Sequence, residues 1–133
     1  MIDYKKFTKL FYFIFCYQKF HLSTRTTLMA IMEYHNIYAK QSERFELSPL
    51  SFKKKFEIGE KQLVAVLDYF TKFNWIWYEK VDDKYKIQID YDAMDEFYLR
   101  QVQPKDTIKK IRNNKITNVV EIPKEILSNE KER

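Results

Sequence analysis

A mainly α fold with one small β-hairpin is what this sequence predicts, and three observations predict it. Apolar residues recur at helical spacing in several separate segments, as on a helix that buries one face. A strictly alternating run, Tyr85, Ile87, Ile89 and Tyr91 against Lys84, Lys86, Gln88 and Asp90, has the period of a half-buried strand. A β-prone stretch precedes that run across the turn-like Val81-Asp82-Asp83-Lys84, which pairs the two as a hairpin.

The first helix follows Tyr4, Lys5 and Lys6, with Phe7, Leu10, Phe11, Ile14 and Phe15 as its inner face. His21, Leu22 and Ser23 interrupt the pattern. Ser23 is placed to cap a second helix ending near Lys40, whose buried face is Leu28, Ile31, Met32, His35 and Tyr38. The polar residues 41–46 read as a loop, with Phe45 and Leu47 able to form a short strand. Ser48 then supplies a hydroxyl cap and Pro49 a first helical residue whose missing amide donor costs nothing there.

Phe52 and Phe56, four apart, define the inner face of that short helix, and Ile58 with Gly59 makes a turn. Gly59 is the only glycine, so its position between two helical patterns predicts a backbone conformation that other residues would find strained. The next helix has Leu63, Leu67 and Phe70 inward, and Asn74-Trp75-Ile76-Trp77-Tyr78 begins the hairpin. Helix, turn, helix and hairpin in that order make a winged helix.

Residues 47–91 resemble the winged helix-turn-helix domains of bacterial transcription regulators and of phage and plasmid replication initiators. Asn74-Trp75-Ile76 stands where that family usually has a glycine and two aliphatics. The resemblance covers about a third of the chain, and it implies fold more than function. The expected organisation is a winged-helix domain with N-terminal helices over residues 1–103, followed by a basic and apolar arm over residues 104–133. Ala93, Met94, Phe97, Tyr98 and Gln101 fit a short helix that returns to the core or pairs with a second subunit, and Ile116, Val119, Val120, Ile122, Ile126 and Leu127 suit an arm that orders on a partner or a sister subunit.

Composition narrows the function. The chain is 45% hydrophobic and 17% aromatic, enough for one packed core. Its net charge of +5 is concentrated in residues 105–115, where Lys105, Lys109, Lys110, Arg112 and Lys115 against Asp106 give +4, while residues 116–133 give −1. The longest apolar stretch, residues 10–17, is about half of the ~20 residues that a bilayer crossing needs. Neither a transmembrane helix nor a cleavable leader is expected, and a cytoplasmic location follows. Cys16, the single cysteine, lies among apolar neighbours and is expected to be a buried thiol. Low glycine with abundant Lys, Asn, Ile, Phe and Tyr also fits an AT-rich genome or a mobile element.

Catalytic patterns are missing. His21 and His35 have no ligand-like spacing to the cysteine or to carboxylates, and one glycine cannot build a phosphate-cradling loop. Asp90, Asp92, Asp95 and Glu96 lack the glycine and distal glutamate of a calcium loop, and capping of the following helix explains them more simply. No cofactor, metal, small-molecule substrate or membrane partner is expected, and no enzymatic activity.

What remains is binding. Lys53, Lys54 and Lys55 span nearly a full helical turn where the family's backbone contacts fall, Lys61 and Gln62 open the recognition-type helix, and Lys84 and Lys86 lie on the hairpin. Arg25, with the first turn of the second helix, and Lys109, Lys110 and Arg112 on the arm add phosphate contacts. The recognition-type helix is otherwise apolar and charge-balanced: Val64, Ala65, Val66 and Tyr69 form a face suited to a protein. Two main readings stay open, ahead of a third and weaker one, an inhibitor of a host nucleic-acid enzyme. One is a DNA-binding regulator or replication-initiation accessory factor of a phage, plasmid or cassette, on duplex or single-stranded DNA. The other is an interaction subunit that docks a polymerase, helicase or other partner, or a second copy, through the apolar face.

Overall fold

The computed structural model describes residues 2–102, which hold five helices and one three-stranded antiparallel sheet in the order α1(Tyr4–Cys16), α2(Leu22–Ala39), β1(Arg44–Leu47), α3(Pro49–Phe56), α4(Glu60–Thr71), β2(Ile76–Val81), β3(Lys84–Ile89) and α5(Tyr91–Val102). Residues to Asp95 form one compact unit, and the segment from Glu96 belongs to a second. Within the described part of the second, Arg100 lies over the Phe97 ring at 5.9 Å, and Leu99 and Val102 are exposed.

Helix α1 starts where the Asp3 carboxylate accepts from the amides of Lys5 and Lys6, satisfying donors that have no intrahelical partner. It buries Phe7, Leu10 and Ile14. The expected inner face was wider. Phe11 is only half-buried and Phe15 is exposed, because one neighbouring helix, α2, covers a stripe rather than half a cylinder. Cys16, one position further round, is exposed as well, not the buried thiol that its apolar neighbours suggested.

Helix α2 begins at Leu22, earlier than a Ser23 cap requires. His21 occupies the cap position without a side-chain bond, and Ser23 lies inside the first turn, its carbonyl accepting from the hydroxyls of Thr26 and Thr27. Leu28, Ile31, Met32 and His35 are buried as the spacing predicts, but Tyr38 is exposed and Tyr34 takes the inward place. Ser48 and Pro49 start α3 as expected, the Ser48 hydroxyl accepting from the Ser51 amide.

The turn between α3 and α4 corrects the reading of Gly59. The left-handed residue is Glu57, at φ 61° and ψ 34°, whereas Gly59 has φ −75° and open space around its Cα. The Glu57 amide closes α3 on the Lys53 carbonyl, so the helix end itself imposes the reversal before the glycine is reached. Asn74 and Asp82 are the other left-handed residues, at the exit of α4 and in the two-residue turn of the hairpin, and asparagine and aspartate tolerate that region best after glycine.

In the sheet β3 lies centrally, with β1 and β2 antiparallel on either side. The register pairs Phe45 with Ile87, which also faces Tyr78, and Leu47 with Tyr85, which also faces Lys80. Strand β3 buries Tyr85, Ile87 and Ile89 and stops there. Tyr91 was expected to continue it but is the first residue of α5, because the Asp90 carboxylate caps that helix by accepting from the Ala93 amide. The inner sheet face and helices α2 and α4 enclose the core, where Phe52, Leu63, Leu67, Phe70 and Ile87 are fully buried. One hub escapes periodicity altogether. Phe20, in the link between α1 and α2, meets the edges or faces of Tyr17, Tyr69, Phe70, Phe73 and Trp75.

Candidate nucleic-acid and partner surfaces

Lys53, Lys54 and Lys55 occupy the last turn of α3 and are all exposed. Cations there also complement the negative helix end, so their position is locally stable without any ligand. Across the Glu57 turn, α4 opens at Gly59 with no side chain capping its first amides, and Lys61 stands exposed in its first turn. Lys72 is exposed at the far end. The two acidic residues of α4 turn toward the hairpin instead. Glu60 accepts from the Tyr85 hydroxyl at 2.5 Å and lies 3.8 Å from Lys80 Nζ, and Asp68 accepts from the Tyr78 hydroxyl. The Asp68 carboxylate holds the Tyr78 phenol proton, raising its pKa to about 12, and burial followed by Glu60 does the same for Tyr85. A charge count along the chain treats these acids as cancelling the lysines. The fold aims them elsewhere.

Two residues assigned to DNA contact are committed internally. The Gln62 amide nitrogen donates to the Ser23 carbonyl and the Thr27 hydroxyl, tying α4 to α2. Arg25 donates through Nε to the Phe20 carbonyl and through Nη1 to the Phe15 carbonyl, closing the end of α1. The partner face changes as well. Val66 is 3% exposed and belongs to the core, because α4 lies against both α2 and β2 and so buries a broad stripe. Val64 is half-buried, while Ala65 and Tyr69 remain at the surface. Lys84 and Lys86 sit on the solvent-facing side of β3. Lys109, Lys110 and Arg112, with the arm as a whole, lie outside the described residues.

A cleft of about 690 Å³ opens beside His35, lined among others by Asp3, Lys6, Glu43, Asp90 and Asp92. The His35 ring stacks on Phe45 at 4.4 Å and on Tyr91 at 5.9 Å. Its Nε2 is 2.7 Å from the Ser42 carbonyl, which can only accept, so Nε2 carries the proton. Nδ1 therefore accepts from the Tyr91 hydroxyl at 3.0 Å. Burial holds the His35 pKa below the ordinary histidine value and pushes that of Tyr91 up. Both ring nitrogens are used, which makes this a satisfied core histidine joining α2 to the start of α5. Across the cleft mouth Lys6 pairs with Asp92, and Lys9 pairs with Asp95 at 2.8 Å. Among the described residues no group of histidine, cysteine and carboxylates is arranged to hold a metal ion, and no helix is long and apolar enough to cross a membrane.

Periodicity along the chain gives no sign of one row on the open face of the sheet. Arg44 on β1, Gln88 on β3 and Trp77 on β2 are cross-strand neighbours. The Arg44 guanidinium lies 4.3 Å from the Trp77 ring centroid, and its Nε donates to Gln88 Oε1 at 2.8 Å. Only the strand register brings the three together, although alternation in β2 could have marked Trp77 as outward. Comparison of the chain with protein-family models, with curated proteins and with solved structures finds no match.

Proposed function

We propose that this chain is a non-enzymatic DNA-binding protein of the winged-helix kind, serving as a replication-initiation accessory factor or a regulator. The observation that carries the reading is the exposed lysine run Lys53-Lys54-Lys55, set next to Lys61 across the turn from α3 to α4. The order helix, strand, helix, helix, hairpin, with β3 between β1 and β2, supports the winged-helix assignment. The uncapped amides at the start of α4 suit a phosphate oxygen, and the turning of Glu60 and Asp68 toward hairpin tyrosines lowers the cost of bringing a polyanion to that face. With Gln62 engaged internally, contact through these groups is with the backbone, so affinity exceeds sequence discrimination.

A mobility-shift titration with duplex DNA at several salt concentrations tests this. Binding should weaken steeply with salt, and replacing Lys53, Lys54 and Lys55 together by Ala should flatten the logarithmic slope by up to ~0.9 for every phosphate that these lysines neutralise. No complex at low salt rejects the reading. The protein-docking alternative keeps Ala65 and Tyr69 as surface groups, but burial of Val66 takes the middle out of its apolar face.

A further inference from the structure

We infer that the open face of the β-sheet binds single-stranded nucleic acid, with Trp77, Arg44 and Gln88 forming a seat for one unpaired base. The inference rests on the nucleic-acid reading above but concerns a different face and a different form of the polymer.

Trp77 is 39% exposed on the outward side of β2, where the other outward positions are Glu79 and, near the hairpin turn, Val81. A large indole in such a place keeps apolar surface in water that a core would have removed. Here Arg44 reaches across β3 to lie over the ring while its Nε is anchored on Gln88, so the guanidinium and the indole together make the stacking surface. The anchoring fixes a side chain that is otherwise rich in rotamers, so little ordering remains to be done when a ligand arrives. The Gln88 carbonyl oxygen is taken by Arg44, which turns the function of that amide toward donation. A stacking plane, a planar cation and an amide donor in one row are what a nucleobase edge and face recognise.

The strand positions of this side hold a small positive excess, which the exposed Asp82 and Asp83 offset at the hairpin tip. Along the same outward side of β3, Lys86 and Lys84 follow Gln88 at intervals of about 7 Å, the two-residue step of a strand. Glu46 and Glu79 flank Lys86 across the strands, so the three bases Arg44, Lys84 and Lys86 outnumber two acids. The row of Arg44, Gln88 and Trp77 itself holds no carboxylate. Duplex DNA has its bases stacked on one another and cannot offer a face to Trp77, which is why the occupant is single-stranded.

The protein carries its own probe. Trp75 is 2% exposed and Trp77 is the accessible indole, so a ligand stacking on this face quenches the surface component of tryptophan emission. The full chain is titrated with a short oligothymidylate at low salt, reading emission and, independently, anisotropy of a labelled strand. Saturable quenching is expected. Trp77→Ala should weaken binding by roughly five- to a hundredfold, the range for removing one stacked base, while Trp77→Phe keeps most of the affinity and loses the quench. Gln88→Glu, which leaves the indole in place, should weaken binding too. Lys53→Ala, Lys54→Ala and Lys55→Ala combined should weaken duplex binding and flatten its salt dependence while sparing the oligothymidylate, so failure of one reading does not carry the other. Absence of quenching, equal affinity of Trp77→Ala and the parent chain, or a Trp77 signal that follows protein concentration alone overturns the inference, the last marking a contact between copies.

Discussion

Replacing Phe20 by Ala removes a ring that is 5% exposed and that lies 5.0 to 6.0 Å from five other aromatic centroids, each at an interplanar angle between 72° and 87°. Truncating a buried Phe costs about 3–5 kcal/mol through forfeited transfer energy and the cavity left behind. The edge-to-face contacts each add up to ~1.5 kcal/mol beyond area, but they share one ring and overlap with the packing term. The upper part of the range, about 4–5 kcal/mol, is therefore expected. That is much of the ~5–15 kcal/mol by which a domain is stable. Urea unfolding followed by circular dichroism and by Trp75 emission measures it. With a slope of about 2 kcal/mol per M, the midpoint should fall by about 2 M. Phe20→Leu keeps most of the volume but none of the edges and should cost about 1–1.5 kcal/mol. Phe15→Ala, at a site 53% exposed at the end of α1, should stay within ~0.5 kcal/mol of the parent. A Phe20→Ala variant within about 1 kcal/mol of the parent, or a Phe15→Ala variant as damaged as Phe20→Ala, would refute the hub.

Further predictions test other placements. Because the native pKa of His35 is held below the ordinary value near 6.5, the unfolded chain takes up the proton first. Its contribution is complete above about pH 6.5 and declines as pH falls, and His35→Gln should remove that part of the pH dependence of the urea midpoint. Val66→Glu should abolish the cooperative thermal transition by burying a carboxylate, whereas Ala65→Glu on the exposed neighbour should leave it intact, and a folded Val66→Glu would restore the apolar docking face. Gly59→Ser should raise stability by about 0.5–1 kcal/mol, through a capping hydroxyl and a stiffer unfolded chain, as read by thermal melting. A decrease would mean that the position needs glycine after all.

Local chemistry was legible wherever a structure is decided within a few residues. Ser48 and Pro49 announce α3 because cap and fixed φ act on adjacent amides, and the alternation from Lys84 to Ile89 announces β3 because strand sides differ residue by residue. The acidic residues after β3 read correctly as capping at Asp90. The candidate contact residues fared less evenly. The lysines of α3 are exposed as spacing suggests, yet Gln62 and Arg25, equally polar, spend their donors inside the fold on carbonyls that are 39 and 5 or 10 residues away in the chain.

By itself, then, the sequence determined the helices with clear periodicity, the capped start of α3 and the hairpin, since each depends on propensity and spacing over a turn or two. Tertiary structure alone decided that Glu57 rather than Gly59 takes the left-handed conformation, that Val66 is core, that Phe20 is a hub, and that the acids of α4 face tyrosines of the hairpin. It also brought Arg44, Gln88 and Trp77 into one row. These outcomes depend on which element lies against which face, a choice settled by burial summed over the whole core, and no window of neighbouring residues contains that sum.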